Sequence, residues 1–208
     1  MMTRVVILFV SFAFSLFGFS KTSFGQRPTI STWSGSDDIT IRPLGMGSSS
    51  LNFNLHSSVI TANSGPVQIR KEDDNTAVFE IEAPSEYEMV ITMDYAPYLA
   101  KEGDSSIDQS IPMVFYMSYH NQNAANEIVA KKESIDLPAG ITTITIPVNG
   151  KFAGIPLPSS SVFGGSLERH KSVVYLFVYG TLGPIRSVYA GEYNTQISIN
   201  VNVAGETN

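Results

Sequence analysis

Cysteine is absent from the 208 residues, which excludes disulfides, thiolate metal sites and an acylated-cysteine anchor together. Charge is sparse at 15%, and Lys and Arg number 13 against 19 Asp and Glu. A formal net charge of −6 argues against a nucleic-acid partner, which needs a basic face to displace counterions. Helical periodicity is scarce as well: only residues 124–133 (AANEIVAKKE) read as a short helix, or equally as an exposed loop. No shift in composition and no internal repeat divides the chain. What remains is 43% hydrophobic and 11% aromatic, enough to pack a core without cross-links and too apolar for disorder.

One long apolar run stands at the start. Arg4 precedes residues 5–19 (VVILFVSFAFSLFGF), fifteen positions, short of the roughly 20 that a membrane-spanning helix needs. Ser23 and Gly25 then place small residues where a signal peptidase cuts. Residues 1–25 are therefore expected to be a secretory signal peptide. The mature chain would begin at Gln26 and be exported to the periplasm, cell surface or medium with no membrane span. Cleavage removes Arg4 and Lys21 and no acid, moving the formal charge from −6 to −8.

The rest reads as strand after strand. Ile197, Ile199, Val201 and Val203 share one face of the last segment, and Ser198, Asn200 and Asn202 share the other. The same period of two recurs at Leu51, Phe53 and Leu55, at Ala77, Phe79 and Ile81, at Tyr87 to Met93, and at Ile144, Ile146 and Val148. Residues 173–179 (VVYLFVY) are apolar on both faces, which predicts a central strand covered on both sides, and residues 111–119 are nearly so. With shorter candidates at residues 39–41 and 67–69, about nine strands are expected in one all-β domain, residues 39–208, an antiparallel β-sandwich. Pro43 and Pro147 mark their strands as edges, because proline cannot donate to a ladder.

Residues 26–38 (QRPTISTWSGSDD) form a polar lead-in holding Ile30 and the single tryptophan, Trp33. They read either as a loose N-terminal extension or as a strand that pairs with a neighbouring subunit's sheet edge. Ile30 and Trp33 are thus the assembly candidates, for a homo-oligomer or a complex with other surface proteins.

No catalytic or metal-binding set is expected, and no cofactor. His56, His120 and His170 lie in separate segments, and His120 reads as a half-exposed sheet residue. Gly164-Gly165-Ser166 lacks the second glycine and leading strand of a nucleophile elbow. In Glu72-Asp73-Asp74-Asn75 the acids are consecutive, so their side chains diverge, unlike the alternating oxygens of a calcium loop. Asp104 and Asp108 would need ligands from elsewhere. Glu80 and Glu82 lie about 7 Å apart along one strand face, near the roughly 5 Å of a retaining glycosidase pair, but two glutamates on the wet side of a strand ordinarily keep a sheet soluble. Most rings fall in core phase; Tyr98 and Tyr189, near turns, are the candidates for stacking on a glycan.

The order of segments carries a resemblance. ITIRPL (residues 39–44), SLNFN (50–54), AVFEIEAPSEYEMVITM (77–93), YLFVYGTLGPI (175–185) and AGEYNTQISINVNV (190–203) resemble the bacterial domain-of-unknown-function family 4402, which is similar to spore-coat-U and pilin-type secreted adhesin domains. Asn54, Ala83 and Asn194 stand where that family prefers glycine. The resemblance implies an immunoglobulin-like sandwich, exported and without catalytic residues. It points to a structural or adhesive surface protein, possessing a pilin-like route to assembly by strand addition; the alternative is a carbohydrate- or ligand-binding module.

Overall fold

The computed structural model describes residues 26–35, 38–45, 49–53, 65–103, 106–152, 170–185 and 188–204. The expected signal peptide, Leu55, His56, Asp104 and Gly164-Gly165-Ser166 lie outside them. The strands are β1 (Thr29–Ser34), β2 (Thr40–Leu44), β3 (Val67–Ile69), β4 (Ala77–Pro84), β5 (Glu88–Tyr95), β6 (Tyr98–Lys101), β7 (Ile111–His120), β8 (Ile135–Asp136), β9 (Thr143–Pro147), β10 (Lys171–Leu182), β11 (Tyr193–Asn194) and β12 (Gln196–Val203). A helix, α1 (Glu127–Glu133), precedes β8.

The strands form an all-β sandwich of two sheets. The smaller runs β1-β12-β5-β9, and the larger runs β11-β6-β7-β10-β4-β2, with β3 added on β10 and β8 on β7. Period-two alternation fixes which side of each strand goes inward. Ile197, Ile199 and Val201 of β12 and Met89, Ile91 and Met93 of β5 meet Phe79, Ile81, Phe115, Val174, Leu176 and Val178 of the larger sheet in one core. Every described pair is antiparallel except β1 with β12. Pro147 and Pro43 do sit on edge strands, β9 and β2.

β10 is the central strand its sequence predicts. Val174, Leu176 and Val178 face the main core, while Tyr175 and Phe177 face outward into a second small cluster with Val78 and Ala130 of α1. The helix is short, so its start matters: the Asn126 side chain accepts the Val129 N–H at 3.0 Å and caps it.

Three expectations are corrected. Residues 29–34 are no loose extension: β1 is an edge strand of its own sandwich, registered from Thr29↔Gln196 to Ser34↔Val201, and Ile30 is buried in its own core. Leu51 and Phe53 are fully buried, but residues 51–53 form no strand; the segment runs beside β1, bridged at Thr29↔Ser50, with the Ile30 N–H donating to the Ser49 carbonyl and the Leu51 N–H to the Pro28 carbonyl. His120 is buried, because α1 returns over its end of β7 and brings Glu133 to 3.6 Å from Nε2.

Candidate functional site

The outer face of the smaller sheet gathers the most promising side chains. Alternation that sends Ile30, Ile199, Ile91 and Ile144 toward the core sends their neighbours outward. Register then aligns one row across all four strands: Trp33↔Asn200, Asn200↔Thr92 and Thr92↔Thr143. The Thr143 hydroxyl donates to Thr92 Oγ1 at 3.4 Å. A shallow cavity of about 440 Å³ opens beside this row, lined by Thr92, Met93, Asp94, Tyr95, Pro97, Thr142 and Asn200. That volume lies in the range of small-ligand sites. Asp94 is exposed, and Trp33 keeps 53% of its surface in solvent.

The indole is set down beside Gly35 and Asn202. A Cβ at Gly35 would collide with Asn202 Oδ1 and come within 3.2 Å of Trp33 Cζ3. The glycine therefore leaves room for the ring edge and the amide side by side. Asn200 thus stands between an aromatic wall on the Asn202 side and a polar depression on the Asp94 side.

The larger sheet's outer face is divided. Under α1, Glu80 is ion-paired with Arg42 and stands in register with Tyr175, which is in turn in register with His120. Burial first, then the Glu80 carboxylate, pushes the Tyr175 phenol up. Glu82 lies 3.9 Å from Lys171. Both glutamates are thus engaged with cations. Away from α1, Tyr116 and Tyr179 stack with ring centroids 5.6 Å apart, and the Tyr179 hydroxyl donates to Asp136 Oδ1 at 3.2 Å. Lys71 holds the same carboxylate oxygen at 2.8 Å. Burial and the Asp136 charge push the Tyr179 phenol up to about 12.

The two tyrosines singled out in the sequence are not brought together. Tyr98 is half-buried on β6, opposite Pro112. Tyr189 is 64% exposed, with Lys101 Nζ 5.1 Å from its ring centroid. Alternation along β6 puts Tyr98 and Lys101 on opposite faces, so the rings serve different surfaces.

The acidic stretch Glu72-Asp73-Asp74-Asn75 is a loop hydrogen-bonded partly within itself and partly to Asn52 and to Lys131 of α1. Its flanking strands β3 and β4 pair with β10 rather than with each other. Asp73 Oδ2 accepts the Arg70 N–H at 2.8 Å, Thr76 Oγ1 donates to the Arg70 carbonyl at 2.6 Å, and Asn75 Nδ2 donates to the Asn52 carbonyl at 3.0 Å. Asp108 lies in a 3₁₀ turn (Ile107–Gln109). Among the described residues no three His, Asp or Glu side chains converge as a metal site would require, and no helix is long and apolar enough to cross a membrane.

Of the Trp33–Asn200–Thr92 row the sequence offers Trp33 alone, as an assembly residue; Asn200, Thr92 and their alignment with it were missed. The other local signal is the polar face of β12, Ser198, Asn200 and Asn202, which says nothing of the strands alongside. No known protein family, curated protein or solved structure matches the chain.

Proposed function

We propose that this is an exported, non-enzymatic structural or adhesive surface protein that assembles by exchange of its first strand. One observation carries the reading: β1 joins the sandwich on the edge of the smaller sheet, and of its six residues only Ile30 is buried. Its remaining hold is backbone hydrogen bonding, to β12 on one side and to residues 49–51 on the other, where the Ile30 N–H donates to the Ser49 carbonyl and the Leu51 N–H to the Pro28 carbonyl. A backbone ladder presents the same bonds to its own β12 and to that of another copy. A second reading, a ligand-binding module, is favoured by the exposed indole beside the polar depression.

The exchange is tested with two cysteines. Ser31 Oγ and Ser198 Oγ lie 3.4 Å apart across the β1–β12 ladder, and the natural chain has no cysteine to compete. Oxidised Ser31→Cys/Ser198→Cys protein is expected to give covalent multimers on a non-reducing gel if β1 passes between copies. A single band of monomer at every protein concentration would overturn assembly by this strand.

A further inference from the structure

We infer that the outer face of the smaller sheet binds a neutral oligosaccharide, with Trp33 as the stacking surface and Asn200, Thr92 and Asp94 as the hydrogen-bonding floor. The inference rests on the adhesive part of the function proposed above and supplies the ligand class and the residues.

The chemistry of the face selects the ligand. An indole carries a negative π face that attracts the polarised C–H edges of a pyranose ring, and Trp33 leaves 53% of its surface open to such a contact. The Asn200 amide, the Thr92 hydroxyl and the Asp94 carboxylate offer donors and acceptors to sugar hydroxyls. Their backbones are fixed by four hydrogen-bonded strands, so little ordering is needed on binding. An apolar peptide or acyl chain would strip water from these groups without replacing its hydrogen bonds. A phosphate or uronic acid would meet the Asp94 carboxylate on a chain of net charge −6. A neutral sugar satisfies both conditions.

Geometry sets the length. Trp33 and Thr92 sit on strands separated by β12, about 10 Å at the usual inter-strand spacing, and the cavity continues to Thr142. A ligand touching both the ring and the depression spans several sugar units, so a hexasaccharide engages the face more fully than a monosaccharide.

Trp33 is the only tryptophan in the sequence, so intrinsic fluorescence reports from the site itself. The mature chain is titrated with cellohexaose, xylohexaose, mannohexaose, maltohexaose and chitohexaose, with glucose as the short control. The expected result is a saturable change in Trp33 emission with at least one hexasaccharide. Calorimetry with that sugar should show an affinity loss of about tenfold or more in Trp33→Ala and in Asn200→Ala, and none in Tyr189→Ala. Silence from all five sugars overturns the inference, as does binding that survives both substitutions in protein with wild-type circular dichroism. An emission change that follows protein concentration instead of sugar also overturns it, since a second copy would then cover the face. The oxidised Ser31→Cys/Ser198→Cys monomer separates the two proposals: binding retained there, with no multimers, sustains the sugar site while strand exchange falls.

Discussion

The Tyr193 hydroxyl donates to the backbone carbonyl of Tyr189 across 2.6 Å, four residues upstream. The Tyr193 ring is 2% exposed, so the bond pins the loop before β11 to a side chain buried in the core. A tyrosine reaching back to a nearby carbonyl is the device that closes corners in many sandwich domains. Tyr193→Phe keeps the ring and removes the bond to the Tyr189 carbonyl. The expected cost is about 1–2 kcal/mol, read as a lower denaturant midpoint at unchanged slope. Tyr189→Ala, at an exposed position, should cost under about 0.5 kcal/mol.

The two residues that the sequence offered for assembly divide sharply in the fold. Ile30 is 5% exposed and belongs to the core, whereas Trp33 is 53% exposed. Ile30→Ala should therefore destabilise the protein by about 2–4 kcal/mol, while Trp33→Ala should cost less than about 1 kcal/mol. Thermal unfolding of the two variants checks this. Equal losses would mean that β1 is held by the indole as much as by the isoleucine.

How much of this was legible follows from where the information sits. β12, β5 and β10 announce themselves because their own side chains alternate, or are apolar throughout, as the two faces demand. Pro43 and Pro147 mark edges because a missing N–H acts on the residue that lacks it; the Pro147 carbonyl, still available, accepts from Asn121 Nδ2 at 2.8 Å. β1 was hidden because a single buried residue in TISTWS leaves no pattern, and its partner lies more than 160 positions away, as the Ser31–Ser198 separation of 167 shows. His120 was given the right strand and the wrong exposure, since the cover comes from Glu133 on a helix that the strand does not encode. The row from Trp33 to Thr143 depends on three registers at once, and none of them is local.

Tyr179 provides a pH-dependent signature. Its phenol is raised from an ordinary 10.0 to about 12, first by burial and then by the neighbouring Asp136 carboxylate. Folding thus favours the protonated phenol. The stability this contributes is whole below pH 10 and is lost as pH rises through about 12. Ultraviolet titration of tyrosinate in the folded protein should show late-ionising phenols, with the component near pH 12 lost in Tyr179→Phe. Asp136→Asn should bring that ionisation to lower pH while leaving the ring stacked on Tyr116. The same component unchanged in Tyr179→Phe would assign it to another tyrosine.

Gly180 tests how closely β7 and β10 are joined. It faces the core side of β10, in register with Phe115. A Cβ there would come 2.8 Å from the Val114 carbonyl oxygen and 3.2 Å from Phe115 Cδ1. The ring edge can give by a few tenths of an ångström, but the carbonyl is held in the central ladder of the larger sheet. Replacing glycine by alanine ordinarily gains about 0.4–1 kcal/mol by restricting the unfolded chain. Here the strands must separate to admit one methyl group, an overpacking cost of about 1–3 kcal/mol, so the sign reverses. Gly180→Ala is expected to lower Tm, by up to about 10 °C for a chain of this size. An unchanged or higher Tm would show that β10 moves outward freely, and that the pairing of β7 with β10 is looser than its register implies.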